Sequence, residues 1–291
     1  YWFGEIKGSG NNGNKVQQGI SVYVSSDLCN WAYKGIAYNA EQNKNIAYLE
    51  RPKVIYNSKI KKYVMWFHID FSTGFKGNSY ARAGVAVSDT VIGPYKFVNS
   101  YRPNYNTLPK NYNSSNQKNE LFAKGINSGF DSRDFTLFKD NLGIAYIIYN
   151  SEMNNTLHVA KLDSDDTDLT NDYTRVLING RNEAPVVFYI NDQFYMLTSG
   201  LTGWKFNPAR FYKSANIFGP WVRLKSPILG DVNQVSTTFE SQSSFSFYDR
   251  KGGLYIMGDH WMPNNPIDSG YVISAVKSKS GHISIENIFH G

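Results

Sequence analysis

The feature that most restricts what this chain can fold into is a pair of short strand-like runs repeated five times. The first run of each pair is apolar and aromatic: Tyr1-Trp2-Phe3-Gly4-Glu5, Tyr63-Val64-Met65-Trp66-Phe67, Ile144-Ala145-Tyr146-Ile147-Ile148, Phe194-Tyr195-Met196-Leu197 and Leu254-Tyr255-Ile256-Met257. Turn signals such as Asn57-Ser58-Lys59 and Lys251-Gly252-Gly253 precede them. The second run follows each time, as in Gly19-Ile20-Ser21-Val22-Tyr23 and Gly84-Val85-Ala86-Val87-Ser88. No long segment of helical period competes with these runs, so the class is all-β. Five units spaced about 50–80 residues apart have the period of four-stranded propeller blades. The sequence therefore predicts one five-bladed β-propeller over residues 1–291, with the innermost strand of the first blade falling before Tyr1.

Aromatic residues make up 15% of the chain. Such rings fit pleated strands, and they also suit stacking on sugar faces. The formal net charge is +6, but basic residues are scattered, as in Lys59-Ile60-Lys61-Lys62, and no cationic run marks a nucleic-acid footprint. A single cysteine, Cys29, excludes an intrachain disulfide. No apolar run is long enough for a transmembrane helix, and no signal peptide is visible. His68, His158, His260, His282 and His290 lack metal-ligand spacing and read as core or surface histidines. No metal is expected.

A third run precedes each aromatic strand from the second unit onward: Glu50-Arg51-Pro52-Lys53-Val54, Ser132-Arg133-Asp134-Phe135-Thr136, Asn182-Glu183-Ala184-Pro185-Val186 and Ser241-Gln242-Ser243-Ser244-Phe245. These should be innermost strands. Glu50, Asp134, Glu183 and Gln242 begin them in equivalent register, so radial blades bring all four toward one mouth of the axis. Gathering carboxylates is costly unless they are hydrogen-bonded or reactive. A structural alternative is that some of them cap strands or pair with Arg51 and Arg133. As a set they suit glycosidic bond hydrolysis, which needs a protonated acid and a group that activates water. Asp259 and Trp261, in Gly258-Asp259-His260-Trp261, read as structural, with a place in the pocket lining as the alternative. Residues 99–129, polar and poor in aliphatics, read as a surface loop, with a lid over the pocket as the alternative.

The order of Glu-Arg-Pro-Lys-Val, Ser-Arg-Asp-Phe-Thr-Leu-Phe, Glu-Ala-Pro and Ser-Gln-Ser resembles glycoside hydrolase family 43, and within it the exo-β-1,3-galactanase branch. The likeness runs along nearly the whole chain and includes Met65-Trp66-Phe67-His68-Ile69-Asp70 and Leu201-Thr202-Gly203-Trp204. The resemblance implies that Glu183 is the general acid and that Asp134 raises its pKa and orients it. It implies that Glu5 and Glu50 hold sugar hydroxyls, with Thr202 and Trp204 as further sugar contacts, Trp204 by stacking. It implies an inverting mechanism without a dissociable cofactor, acting on β-1,3-galactan or side-chain-decorated arabinogalactan. A secreted protein, extracellular or periplasmic, with an appended carbohydrate-binding module is also in keeping with the branch. For the base, the resemblance offers Gln242 through its imidic acid tautomer, or an Asp upstream of residue 1. Two other readings stay open: a family 43-type α-L-arabinofuranosidase or β-xylosidase, and a non-catalytic sugar-binding propeller.

Overall fold

The computed structural model describes residues 1–72, 79–114 and 120–290. Five antiparallel sheets form a five-bladed β-propeller. Blade I contains β1 (Trp2–Glu5), β2 (Gly19–Val24) and β3 (Ala32–Asn39). Blade II contains β4 (Ile46–Asn57), β5 (Lys62–Phe71), β6 (Arg82–Ser88) and β7 (Lys96–Tyr101). Blade III contains β8 (Phe135–Lys139), β9 (Ala145–Ser151), β10 (Thr156–Leu162) and β11 (Leu169–Val176). Blade IV contains β12 (Asn182–Ile190), β13 (Gln193–Gly200), β14 (Arg210–Ser214) and β15 (Val222–Leu224). Blade V contains β16 (Gln242–Tyr248), β17 (Leu254–His260), β18 (Gly270–Lys279) and β19 (His282–His290).

Strands β4, β8, β12 and β16 lie nearest the axis, and each opens its own four-stranded sheet. Blade I has three strands. In it, β1 stands against β4 as β9 stands against β12, which is the place of a second strand.

Side chains alternate across each blade, so one strand feeds two cores. In β5, Met65 and Phe67 pack toward blade I with Ile20, Val22 and Tyr38. Val64 and Trp66 face blade III and meet Phe135, Ile147 and Tyr149. Similar clusters close the interfaces of blades III with IV and IV with V, around Ile148, Val187 and Met196 and around Phe188, Leu197 and Ile256. Between blades V and I lies instead a cavity of about 1560 Å³, bordered by Trp2, Trp31, Lys53, Phe245, Phe247 and Phe289 among others.

The stretch 99–129 is not simply a loop. It starts in β7 and ends in a helix, α1 (Glu120–Ser128), whose Phe122 is buried against Phe130. Its described part packs on blade III: Asn104 donates to the Tyr149 hydroxyl and Asn111 to the Arg175 carbonyl. That is support for a blade and not a cover over the axis. Residues 115–119 of the stretch lie outside the described residues.

Candidate active site

Three of the four innermost strands carry the same local device. The β4–β5 register slips between Glu50 and Lys53, the β12–β13 register between Glu183 and Val186, and the β16–β17 register between Ser243 and Phe245. Such bulges re-aim side chains beside active sites. In Glu-Arg-Pro and Glu-Ala-Pro the residue after the glutamate takes a left-handed conformation, φ 57° at Arg51 and 49° at Ala184. The following proline has no N–H to give the ladder, so pairing breaks there. Each glutamate is thereby turned off its sheet and toward the axis.

Of the four residues expected to converge, contacts join Asp134 and Gln242 through Arg51, while Glu50 and Glu183 feel the charge of Asp134. Arg51 Nε and Nη2 grip the two oxygens of Asp134 at 3.1 and 3.2 Å, a fork-to-fork pair between blades II and III. Its Nη1 donates to Asp259 Oδ2 at 2.7 Å, and its Nη2 also donates to Gln242 Oε1. Its backbone N–H reaches Glu5 Oε1 at 2.6 Å. One buried guanidinium thus touches groups from blades III and V, and the backbone of the same residue holds Glu5 of blade I. Pairing of a carboxylate with Arg51 therefore does occur, at Asp134, as the structural alternative held.

Glu183, on blade IV, is half-buried and accepts a 3.0 Å hydrogen bond from Asn154 Nδ2. Burial, then the charge of Asp134, push its carboxyl up to about 7 against the opposing pull of Arg51 and Arg133. It holds a proton near neutrality, as a general acid must. Glu5 is also buried, which favours its neutral form. Lys7 at 2.5 Å and the Arg51 N–H outweigh that and keep its pKa low. Glu50 is raised by burial and by Glu5. Behind it His68 donates to Ser132 O at 2.8 Å and lies 3.3 Å from Asp70. Burial alone would strip its proton, but Asp70 and Glu50 reverse this and push the imidazole up to about 9.

Gln242 is held on three sides. Its Oε1 accepts from Arg51 and from Trp261 Nε1, and its Nε2 donates to Ser199 Oγ at 2.9 Å. Arginine and indole N–H groups can only donate. They therefore favour the ordinary amide over a tautomer with a proton on that oxygen.

Trp204 is 48% exposed and meets Trp261 edge to face at 5.5 Å, while Arg51 lies over the Trp261 ring at 5.4 Å. These two indoles form an aromatic wall joined to the charged floor. Thr202 is exposed beside them, its hydroxyl donating to Lys205 O and accepting from Asn207. Asp259 and Trp261 stand in the pocket, the alternative to their structural reading. The signal for Asp259 was its β17 position directly opposite Gln242. Asn154 was missed, because the turns between second and third strands differ in length and sequence from blade to blade, so no repeat pattern marks it.

The arrangement matches known proteins. The Glycosyl hydrolases family 43 profile covers residues 10–257. No curated protein matches the chain. Among solved structures, a family 43 β-1,3-galactosidase with galactodeoxynojirimycin is 35% identical, with a TM-score of 0.89 over 98% of this chain and 89% of its own. An exo-β-1,3-galactanase from Clostridium thermocellum is 28% identical, with a TM-score of 0.76 over 94% of this chain and 56% of its own. One from Phanerochaete chrysosporium, solved with β-1,3-galactotriose, is 28% identical, with a TM-score of 0.77 over 98% of this chain and 59% of its own. This chain thus spans little more than half of the latter two. With the family profile matched over most of its length, and an acid held protonated beside a second carboxylate, the chain is a glycoside hydrolase of family 43.

Proposed function

We propose that the chain is an inverting, exo-acting hydrolase of β-1,3-linked galactan that releases galactose, alone or from decorated arabinogalactan. The observation that carries this reading is the Glu183–Asp134 pair, with Glu183 lifted to about 7, in a chain whose similar solved structures include β-1,3-galactosidases and exo-β-1,3-galactanases. The Glu183 proton passes to the glycosidic oxygen as the C1–O bond breaks. Water adds to C1 from the opposite face, and the anomeric configuration inverts. An inverting site needs about 6.5–9.5 Å between the acid and the water-activating group.

Gln242 supports the water step as an amide. One N–H is given to Ser199, and the second is free in valence to orient the nucleophile. The proton that the water sheds leaves to solvent, because Gln242 Oε1 already accepts from Arg51 and Trp261. Trp204 offers its face to the sugar, and Glu5 and Glu50 accept from its hydroxyls.

The test is a panel of β-1,3-galactan, arabinan and xylan, with chromatography of the products and proton NMR of the fresh sugar. Galactose should appear from galactan alone, first as the α-anomer. Mid-chain fragments, release confined to arabinan or xylan, or a first β-anomer would each overturn the reading. Gln242→Ala should lower kcat on galactan and on an aryl galactoside alike, because water attack is common to both. A rise in KM with kcat intact would make Gln242 a sugar contact only.

A further inference from the structure

The β9–β10 hairpin closes through Glu152, Met153 and Asn154, three successive non-glycine residues in the left-handed region, with φ 52°, 57° and 63°. Each such residue costs free energy unless its surroundings impose it. The surroundings here are specific. From outside the turn, Asp131 accepts from Ser151 Oγ at 3.2 Å, from the Glu152 N–H at 2.8 Å and from the Met153 N–H at 3.0 Å. From inside, the Glu152 side chain is buried and binds Arg175 through both oxygens, at 2.5 and 2.6 Å. His158 Nε2 lies 3.1 Å from the same carboxylate, and Arg175 stands 4.3 Å from the Phe122 ring. A fully buried ion pair is an expensive way to hold a turn. What the turn presents at its far end is Asn154, whose Nδ2 donates to Glu183 Oε1 at 3.0 Å.

We infer that Asn154 is a positioning residue for the catalytic acid. By donating to Oε1 it leaves the Glu183 proton to Oε2, the oxygen that must face the glycosidic bond. The same hydrogen bond stabilises the carboxylate that forms when the proton leaves. The buried Glu152–Arg175 pair and the Asp131 clamp hold the turn that makes this contact. Asn154 acts on catalysis only through Glu183.

This rests on Glu183 being the acid, so the experiment includes a readout that needs no substrate. Carbon-13 NMR titration of the Glu183 carboxyl compares the native chain with Asn154→Ala and Asn154→Asp. Loss of the donor should raise the Glu183 pKa by about one unit in Asn154→Ala, and the added charge of Asn154→Asp should raise it further. In kinetics, Asn154→Ala should lose about tenfold in kcat on β-1,3-galactobiose. It should lose less than about twofold on a dinitrophenyl galactoside, whose leaving group needs no proton. Thermal melting checks that the variants fold. An unchanged Glu183 titration in both variants overturns the inference. So does an equal loss on both substrates, or a rise in KM alone, which would make Asn154 a sugar contact. If the titration shifts but the native chain cleaves neither galactoside, the inference stands and the proposed substrate falls.

Discussion

At the scale of single residues, the balance at Glu183 fixes a pH dependence. With Glu183 as the proposed acid, its protonated form is the active one, so activity should be present below about pH 7 and lost as pH rises through that value. Asp134→Asn removes a charge that holds the proton on, so the alkaline limb should move down. Glu183→Gln should cut turnover of galactan by about a hundredfold or more, and by much less on a dinitrophenyl galactoside. Equal loss on both would assign Glu183 a structural role. The residues on which these predictions rest were legible because Glu50, Asp134, Glu183 and Gln242 share a position in the repeat. Arg51 was legible as a pairing partner for a carboxylate, but not as a link between blades. Its reach to Asp134, Gln242 and Asp259 crosses blades, and no periodicity within one strand encodes that.

At the scale of elements, the Glu-x-Pro pairs in β4 and β12 were visible in the sequence, but their meaning was not. A left-handed residue and a lost ladder bond appear only once the strand has a partner against which the register can slip. The helix α1 was illegible for another reason: its inner face, Phe122, Gly125 and Ile126, has helical spacing, but nine residues are too short a run to stand out from their polar flanks. The β9–β10 hairpin offers a stability prediction. Arg175→Ala would leave the Glu152 carboxylate buried without its main counter-charge, and should lower the unfolding free energy by about 3–5 kcal/mol, read from urea denaturation. The paired change Glu152→Leu with Arg175→Met should recover most of that loss. If Arg175→Ala costs under about 1 kcal/mol, the pair does not anchor the turn.

For the whole molecule, the unequal blade interfaces matter most. Four carry a buried apolar cluster, while blades V and I face each other across the large cavity. Local opening follows the density of buried contacts. Hydrogen exchange should therefore be faster at Trp2–Glu5 in β1 than in β9 and β10, and protection of β1 as strong as that of β9 would contradict this. The five repeats made the ring legible from the sequence, and the seam is where the repeat is short by a strand. Arg51 gives the ring a second consequence. Its partners come from the first, third and fifth blades, which are distant in the chain and adjacent only when the circle is complete. A chain with the blades formed but the circle unclosed would hold its acids without their shared cation, and its catalytic proton would sit at a different pH. Recovery of activity during refolding should therefore lag recovery of sheet signal, making the reaction itself a checkpoint for closure.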